Sequence, residues 1–205
     1  MSVTLYRTFT GQMFDFRDPD PSKVRVADLA HHLAYTNRFG GAAHRYYSVA
    51  SHCVYVSRRL AEEGHSPDVQ LAGLLHDSSE AYLGDITSGL KRLLPEYRAI
   101  ELRWERMLER LFGVQWVGVG AIKTADIRAR LAEGRDLFDG TYPLTNLDTS
   151  GRPELEPYET PVVSQPPDEA EFAWLSRAAE LGVLLDADDS DAVALAVAAP
   201  DAVVL

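Results

Sequence analysis

The run His76-Asp77-Ser78-Ser79-Glu80-Ala81-Tyr82-Leu83-Gly84-Asp85 places four kinds of chemistry-bearing position directly after the apolar stretch 71–75. An adjacent His-Asp pair offers one imidazole nitrogen and one carboxylate to a single metal ion. Glu80 follows His76 by four residues and Asp77 by three, a spacing that in a helix puts all three on one face. The combination is a metal pair with a carboxylate left over for acid-base work. A polar helix end turned to water would carry the same pair with no chemistry attached, so its meaning rests on what else the chain supplies.

Two further residues supply it. His52 lies on the apolar stripe of a helical segment upstream, and Asp126 lies among small residues on or near the buried side of one downstream. A carboxylate there is costly to bury without a cation or hydrogen-bond donors. His52, His76, Asp77 and Asp126 thus sit on three successive helical segments that can converge on one ion. Two imidazoles and two carboxylates suit Mn, Co, Fe, Ni or Zn, whereas Mg favours oxygen ligands alone. Part of the coordination shell stays open to water and substrate oxygens, which is the pattern of a catalytic site.

Helical periodicity provides the frame. Residues 26–35 have helical spacing with Leu29, Leu33 and Tyr35 inward, ending at Arg38-Phe39-Gly40-Gly41, where two glycines permit a turn that brings the backbone and Arg38 close to a ligand. Ser48 is a good cap for a helix that passes through His52 and Cys53 to Glu63, with Gly64 as its stop. Ser66 as cap, Pro67 in the first turn and Asp68 at the positive end predict a third helix, which carries His76, Asp77 and Glu80 and ends at Gly84. A loop over 86–94 carries Lys91 and Arg92. A long amphipathic helix then opens at Pro95, with Tyr97, Ile100, Trp104, Met107, Leu108 and Leu111 at core-facing positions, and closes at Gly113. A helix over 119–138 holds Asp126. At the N-terminal end, residues 3–16 read as a short β-hairpin or extended arm. Residues 140–167 read as a surface connection or lid, 168–181 as a last helix, and 186–205 as a tail. The division is one domain over 1–182 and an acidic, apolar tail over 183–205.

Composition limits the partners. With 205 residues, 46% hydrophobic and 25% charged, the chain has the makeup of one soluble domain. A net charge of −11 argues against a duplex nucleic-acid partner, because general affinity for DNA comes from Lys and Arg neutralising phosphates. Cys53, the single cysteine, excludes an internal disulfide and fits a reducing cytoplasm. With no leader and no bilayer-length apolar run, the expectation is a cytoplasmic protein without a membrane partner.

The ordered set His52, His76-Asp77, Asp126 resembles the HD-domain phosphohydrolases, whose pattern is a His, a His-Asp pair and a distant Asp. The resemblance is nearest to the branch of bacterial 5′-deoxynucleotidases and bacteriophage dATP triphosphohydrolases. It rests on Arg38-Phe39, the run 47–52 (Tyr-Ser-Val-Ala-Ser-His), the run 76–80 (His-Asp-Ser-Ser-Glu), Gly84-Asp85 and Lys91, and covers roughly residues 8–138. It implies an all-α fold: a helical bundle with the metal at its centre. It implies that Glu80 is the acid or base beside one divalent transition metal and that Asp85 orients water. Arg38 and Lys91 would clamp phosphate, and Phe39 would touch sugar or base. A Mg ion accompanying a triphosphate, a homodimer or larger ring, and the host cytoplasm for a phage-encoded member belong to the same expectation. Where the deoxynucleotidases carry a tryptophan after the Arg, this chain has Phe39, so sugar and base preference does not carry over.

The implied activity is hydrolysis of a deoxynucleotide, either a monophosphate to phosphate or a triphosphate to triphosphate. The stretch 8–18, followed by 27–31, resembles the triphosphohydrolase arm and favours dNTP, dATP in particular. Two alternatives stand beside it: hydrolysis of a signalling nucleotide, and an inactive nucleotide-binding module of the same fold.

Overall fold

Ser48 sets the central element. Its Oγ accepts the Ser51 N–H at 3.1 Å and starts helix α2, Val49–Glu62, whose buried face holds Val49, Ala50, His52, Cys53, Val56 and Leu60. Around α2 pack α1 (Val26–Tyr35), α3 (Pro67–Leu75), α7 (Gly120–Leu137) and α8 (Pro167–Glu180). The α2–α3 contact is close because Gly73 carries no side chain: a Cβ there would fall 2.4 Å from Leu60 Cδ1. The computed structural model describes residues 5–139 and 151–183, and the tail expected over 183–205 lies almost wholly outside the described residues.

The architecture is mostly helical, with one small hairpin. Strands β1 (Leu5–Arg7) and β2 (Met13–Asp15) pair antiparallel with Tyr6 opposite Phe14. Asp28 on α1 anchors the connecting turn by accepting the Thr10 N–H at 2.7 Å and the Thr10 hydroxyl at 2.9 Å. Phe14 then packs on Tyr82 and Trp104, tying the hairpin to α6 (Pro95–Phe112). Trp104 is fully buried and donates to the Phe16 carbonyl at 2.9 Å, so it serves as packing. Gly113 ends α6 at φ +68°, the left-handed conformation that glycine adopts without strain.

Several local expectations are corrected. The predicted third helix is not continuous: α3 stops at Leu75, residues 76–79 form a tight turn, and a one-turn helix α4, Glu80–Leu83, follows. In that turn the Ser78 N–H donates to Leu75 O at 2.9 Å and the Glu80 N–H to Asp77 O at 2.9 Å, so the chain is wound more tightly than an α-helix. Ser66 stands at the cap position of α3 without a side-chain hydrogen bond. The expected loop over 86–94 contains another one-turn helix, α5 (Ser88–Lys91). Tyr35 is exposed, stacked on His31, which also stacks on Phe9. Leu111, near the end of α6, is exposed as well.

Residues 151–166 have no helix or strand and run beside α7. Arg128 donates to the Glu156 carbonyl, the Val162 N–H to Asp136, and Tyr158 is buried under Arg128. No helix among the described residues is long and apolar enough to cross a membrane.

Candidate metal centre and its cavity

The close approach of α2, the end of α3 and α7 brings His52, His76 and Asp126 within reach of one another, with Asp77 beside the two histidines. His52 Nε2 lies 3.3 Å from His76 Nε2, 3.6 Å from Asp77 Oδ2 and 3.4 Å from Asp126 Oδ1, and His76 Nε2 lies 3.3 Å from Asp77 Oδ2. Donors bound about 2.1 Å from one ion at near-tetrahedral or octahedral angles sit roughly 3.0–3.5 Å apart, which is the spacing seen. Cys53 also approaches His76 and Asp77 as a potential donor. Its buried thiol, however, is pushed well above its ordinary range by burial and the Asp77 charge, which keeps it a protonated, apolar neighbour.

Both imidazoles are oriented from behind. His76 Nδ1–H donates to the Gly73 carbonyl at 2.8 Å, and His52 Nδ1–H donates to Glu133 Oε1 at 2.5 Å. Each ring therefore turns Nε2 toward the centre, and the carboxylate behind His52 raises its basicity as a ligand. Glu133 is fully buried, and its Oε2 also holds Arg38, with Nε at 3.2 Å and Nη2 at 3.1 Å.

The electrostatics match a cation site. Burial pushes the Asp126 and Asp77 carboxyls up, but Arg130 and His52 outweigh it at Asp126, and His76 and His52 outweigh it at Asp77, so both stay ionised. Burial lowers His76. At His52, burial and the Arg38 charge push down, yet Glu133 and Asp126 prevail and raise it to about 9. In the metal-free protein one proton then sits on His52, facing a neutral His76. The sign follows: stability from protonated His52 is fully present below its unfolded value near pH 6.5 and is lost as pH rises through 9. A metal must displace that proton. Its affinity is therefore expected to rise about tenfold per pH unit from 7 toward 9 and then level off, with about one proton released per ion at pH 7. Titration calorimetry in buffers of different ionisation enthalpy reads this directly; a pH-independent affinity over that range would contradict the assignment.

The centre opens into a cavity of about 830 Å³, within the range of about 300–1,000 Å³ typical for small-molecule sites. Every residue singled out from the sequence reaches its wall except His52, which lies fully buried beneath it. Glu80 is buried, with Oε1 3.6 Å from Lys91 Nζ and Oε2 without a hydrogen-bond partner among the described residues. Burial, then Asp77 and Asp85, hold its carboxyl well above the usual range. Asp85 is half-buried at the wall, after Gly84 turns the chain at φ +76°. Lys91 bonds to Glu101 at 2.6 Å, and Arg38 is buried between Glu133 and, at 3.5 Å, Asp77. Both cations are thus already paired with carboxylates. Phe39 packs edge-on against Phe138 at φ +58°, a left-handed conformation that costs a non-glycine residue roughly 1–2 kcal/mol. His31, His32 and His44 do not line the cavity.

The sequence reading missed Glu133 and Glu101. Glu133 follows Asp126 by seven residues, two helical turns, so the same face carries both. Glu101 falls in the apolar stripe of α6, three residues before Trp104, and pairs with Lys91 and Arg98.

No protein-family model matches the chain. It is 32% identical over 124 residues, 58% of this chain and 63% of the relative, to the uncharacterized protein RCAP_rcc00048 of Rhodobacter capsulatus. It is also 32% identical over 142 residues to the uncharacterized protein YfdR of Escherichia coli K12, a match spanning 68% of this chain and 77% of that protein. Similarity of this extent makes the chain a member of the YfdR family.

Proposed function

We propose that the chain is a metal-dependent phosphohydrolase of deoxynucleotides, built like the HD-domain phosphohydrolases. His52, His76, Asp77 and Asp126 would hold one divalent transition metal. The supporting observation is the convergence of two imidazole Nε2 atoms and two carboxylates within 3.3–3.6 Å of one another's nearest partners, at the wall of a nucleotide-sized cavity that also contains Glu80. A divalent ion bound there supplies Lewis-acid polarisation of a phosphoryl oxygen and a more acidic water.

The chain's own groups complete the reaction. Water adds to the phosphorus next to the sugar, the P–O5′ bond breaks, and the leaving oxygen needs a proton. Glu80, held protonated by burial and its carboxylate neighbours, supplies that proton and regains one from the water. Lys91 holds Glu80 in place from 3.6 Å while anchored on Glu101. Arg38, fixed by Glu133, presents a positive edge to the phosphoryl oxygens. Asp85 faces the same space and is assigned to the orientation of water. The same bond breaks whether the substrate is a monophosphate or a triphosphate, so the products are a deoxynucleoside and either phosphate or triphosphate.

The test is a panel of dNMP, dNTP and ribonucleotides incubated with Mn- or Co-loaded protein, with the phosphate products identified. Metal-dependent release of a deoxynucleoside is expected; no hydrolysis of any member would defeat the proposal. Glu80→Gln is expected to bind metal and nucleotide like the wild type while turning over on the order of a hundredfold more slowly. Full activity in that variant would remove Glu80 from the reaction.

A further inference from the structure

Charge is distributed unevenly around the cavity. At the metal centre and beside α5 and α6, cations and carboxylates are interleaved: Asp77 has Arg38, Glu80 has Lys91, Glu101 has Lys91 and Arg98, and Asp85 and Glu105 add two further acidic groups to the wall. The α7 wall is different. Lys123 and Arg130 flank Asp126 on one helical face, at 3.2 Å each, and Arg152 reaches the same wall by donating to the neutral Thr124 hydroxyl. Among the described residues, Lys123 and Arg130 share one carboxylate and Arg152 bonds to a neutral hydroxyl, in a chain whose net charge is −11.

The arrangement is also incomplete as it stands. Arg130 Nε and Nη2 are buried with no hydrogen-bond acceptor among the described residues, the Nε contact to Asp126 being off the bonding line. Buried donors of this kind cost about 1–3 kcal/mol unless an acceptor arrives. With Asp126 committed to a metal ion, little of its charge remains for Lys123 and Arg130. No acidic side chain occupies the first turn of α7, and Gly118 and Gly120 leave open space at its start, so an anion meets no steric or acidic barrier.

We infer that Lys123, Arg130 and Arg152 form a subsite for the outer phosphates of a nucleoside triphosphate, next to the phosphate carried at the metal centre. The inference rests on the phosphohydrolase reading and decides what that reading leaves open. The bond broken is the same for both substrate classes, so selection falls to the binding of phosphates that take no part in the chemistry. Among the described residues, the α7 wall is where the cavity carries more cations than carboxylates to receive them.

The experiment titrates Mn-loaded protein by calorimetry with inorganic orthophosphate and inorganic tripolyphosphate. Lys123→Ala with Arg152→Ala forms the comparison, since Lys123 is about half exposed and Arg152 part-exposed, outside the core. Wild-type protein is expected to bind tripolyphosphate on the order of a hundredfold more tightly than orthophosphate, about tenfold for each of the two cations that the double variant removes. In the variant this preference collapses, while metal content, melting temperature and orthophosphate affinity stay as in the wild type. Equal affinity for the two anions in wild-type protein, or a preference that survives in the variant, overturns the subsite and leaves the phosphohydrolase reading intact. Absence of any metal-dependent orthophosphate binding overturns both.

Discussion

Asp77→Ala is expected to abolish metal binding and nucleotide hydrolysis together while the protein remains folded. Asp77 places a carboxylate oxygen 3.3 Å from His76 Nε2 and 3.6 Å from His52 Nε2, so its loss would remove one of the four proposed donors and one of their two negative charges. Outer partners of metal ligands carry about 10–100-fold of affinity, and a direct donor carries more, on the order of a thousandfold. The fold should survive because Asp77 sits in the turn after α3 with its side chain at the cavity wall, and Arg38 keeps Glu133. The ionised Asp77 is favoured by its surroundings, so some stability is lost, but no apolar packing goes with it. Circular dichroism and metal analysis of the purified variant check this. Hydrolysis at the wild-type rate would sink the catalytic reading.

Glu133→Ala should act on stability and metal affinity at once. Glu133 is fully buried and bonds to both His52 and Arg38; removing it leaves a buried guanidinium with the more distant Asp77, at 3.5 Å, as its ion-pair partner among the described residues and leaves the His52 N–H without its acceptor. Breaking a buried charge pair from one side costs about 3–5 kcal/mol. For a chain of this size that lowers the melting temperature by on the order of 10 °C. Glu133→Gln, which keeps an acceptor for His52 and loses the charge, should be milder in stability and still weaken metal binding by about 10–100-fold. If Glu133→Gln binds metal like the wild type, the carboxylate behind His52 has no part in tuning the ligand.

Much of the frame was legible because its signals are local. The Ser48 cap and the apolar stripe of α2 place His52 inward, and Pro95 and Gly113 bound α6, with Trp104 at its buried centre. The break after Leu75 was not legible. Residues 76–79 contain neither glycine nor proline, and their tight winding depends on how the turn settles against the cavity rather than on any residue's own preference. Tyr35 and Leu111 follow the periodic pattern yet are exposed, both in the last turn of their helices.

At the candidate site, the histidines and aspartates could be picked out by residue type and spacing, and the structure brings His52, His76, Asp77 and Asp126 together. The residues behind them could not be picked out so readily. Helix α7 is covered on several sides, so Glu133 lies in no clean polar or apolar stripe, and only its two-turn offset from Asp126 marks it. The ion pairs of Arg38 with Glu133 and of Lys91 with Glu101 join residues 95 and 10 apart, and the longer of these has no sequence signature. Both cations are held on fixed mounts, Arg38 on Glu133 and Lys91 on Glu101, from which they would meet phosphate in the proposed reaction.

The proposed four-residue metal centre can be tested in a single diffraction experiment on crystals grown with Mn and recorded for anomalous scattering. One strong peak is expected within bonding distance of His52 Nε2, His76 Nε2, Asp77 and Asp126. A peak bound by other residues, or none at a Mn concentration that saturates the protein in solution, would contradict it.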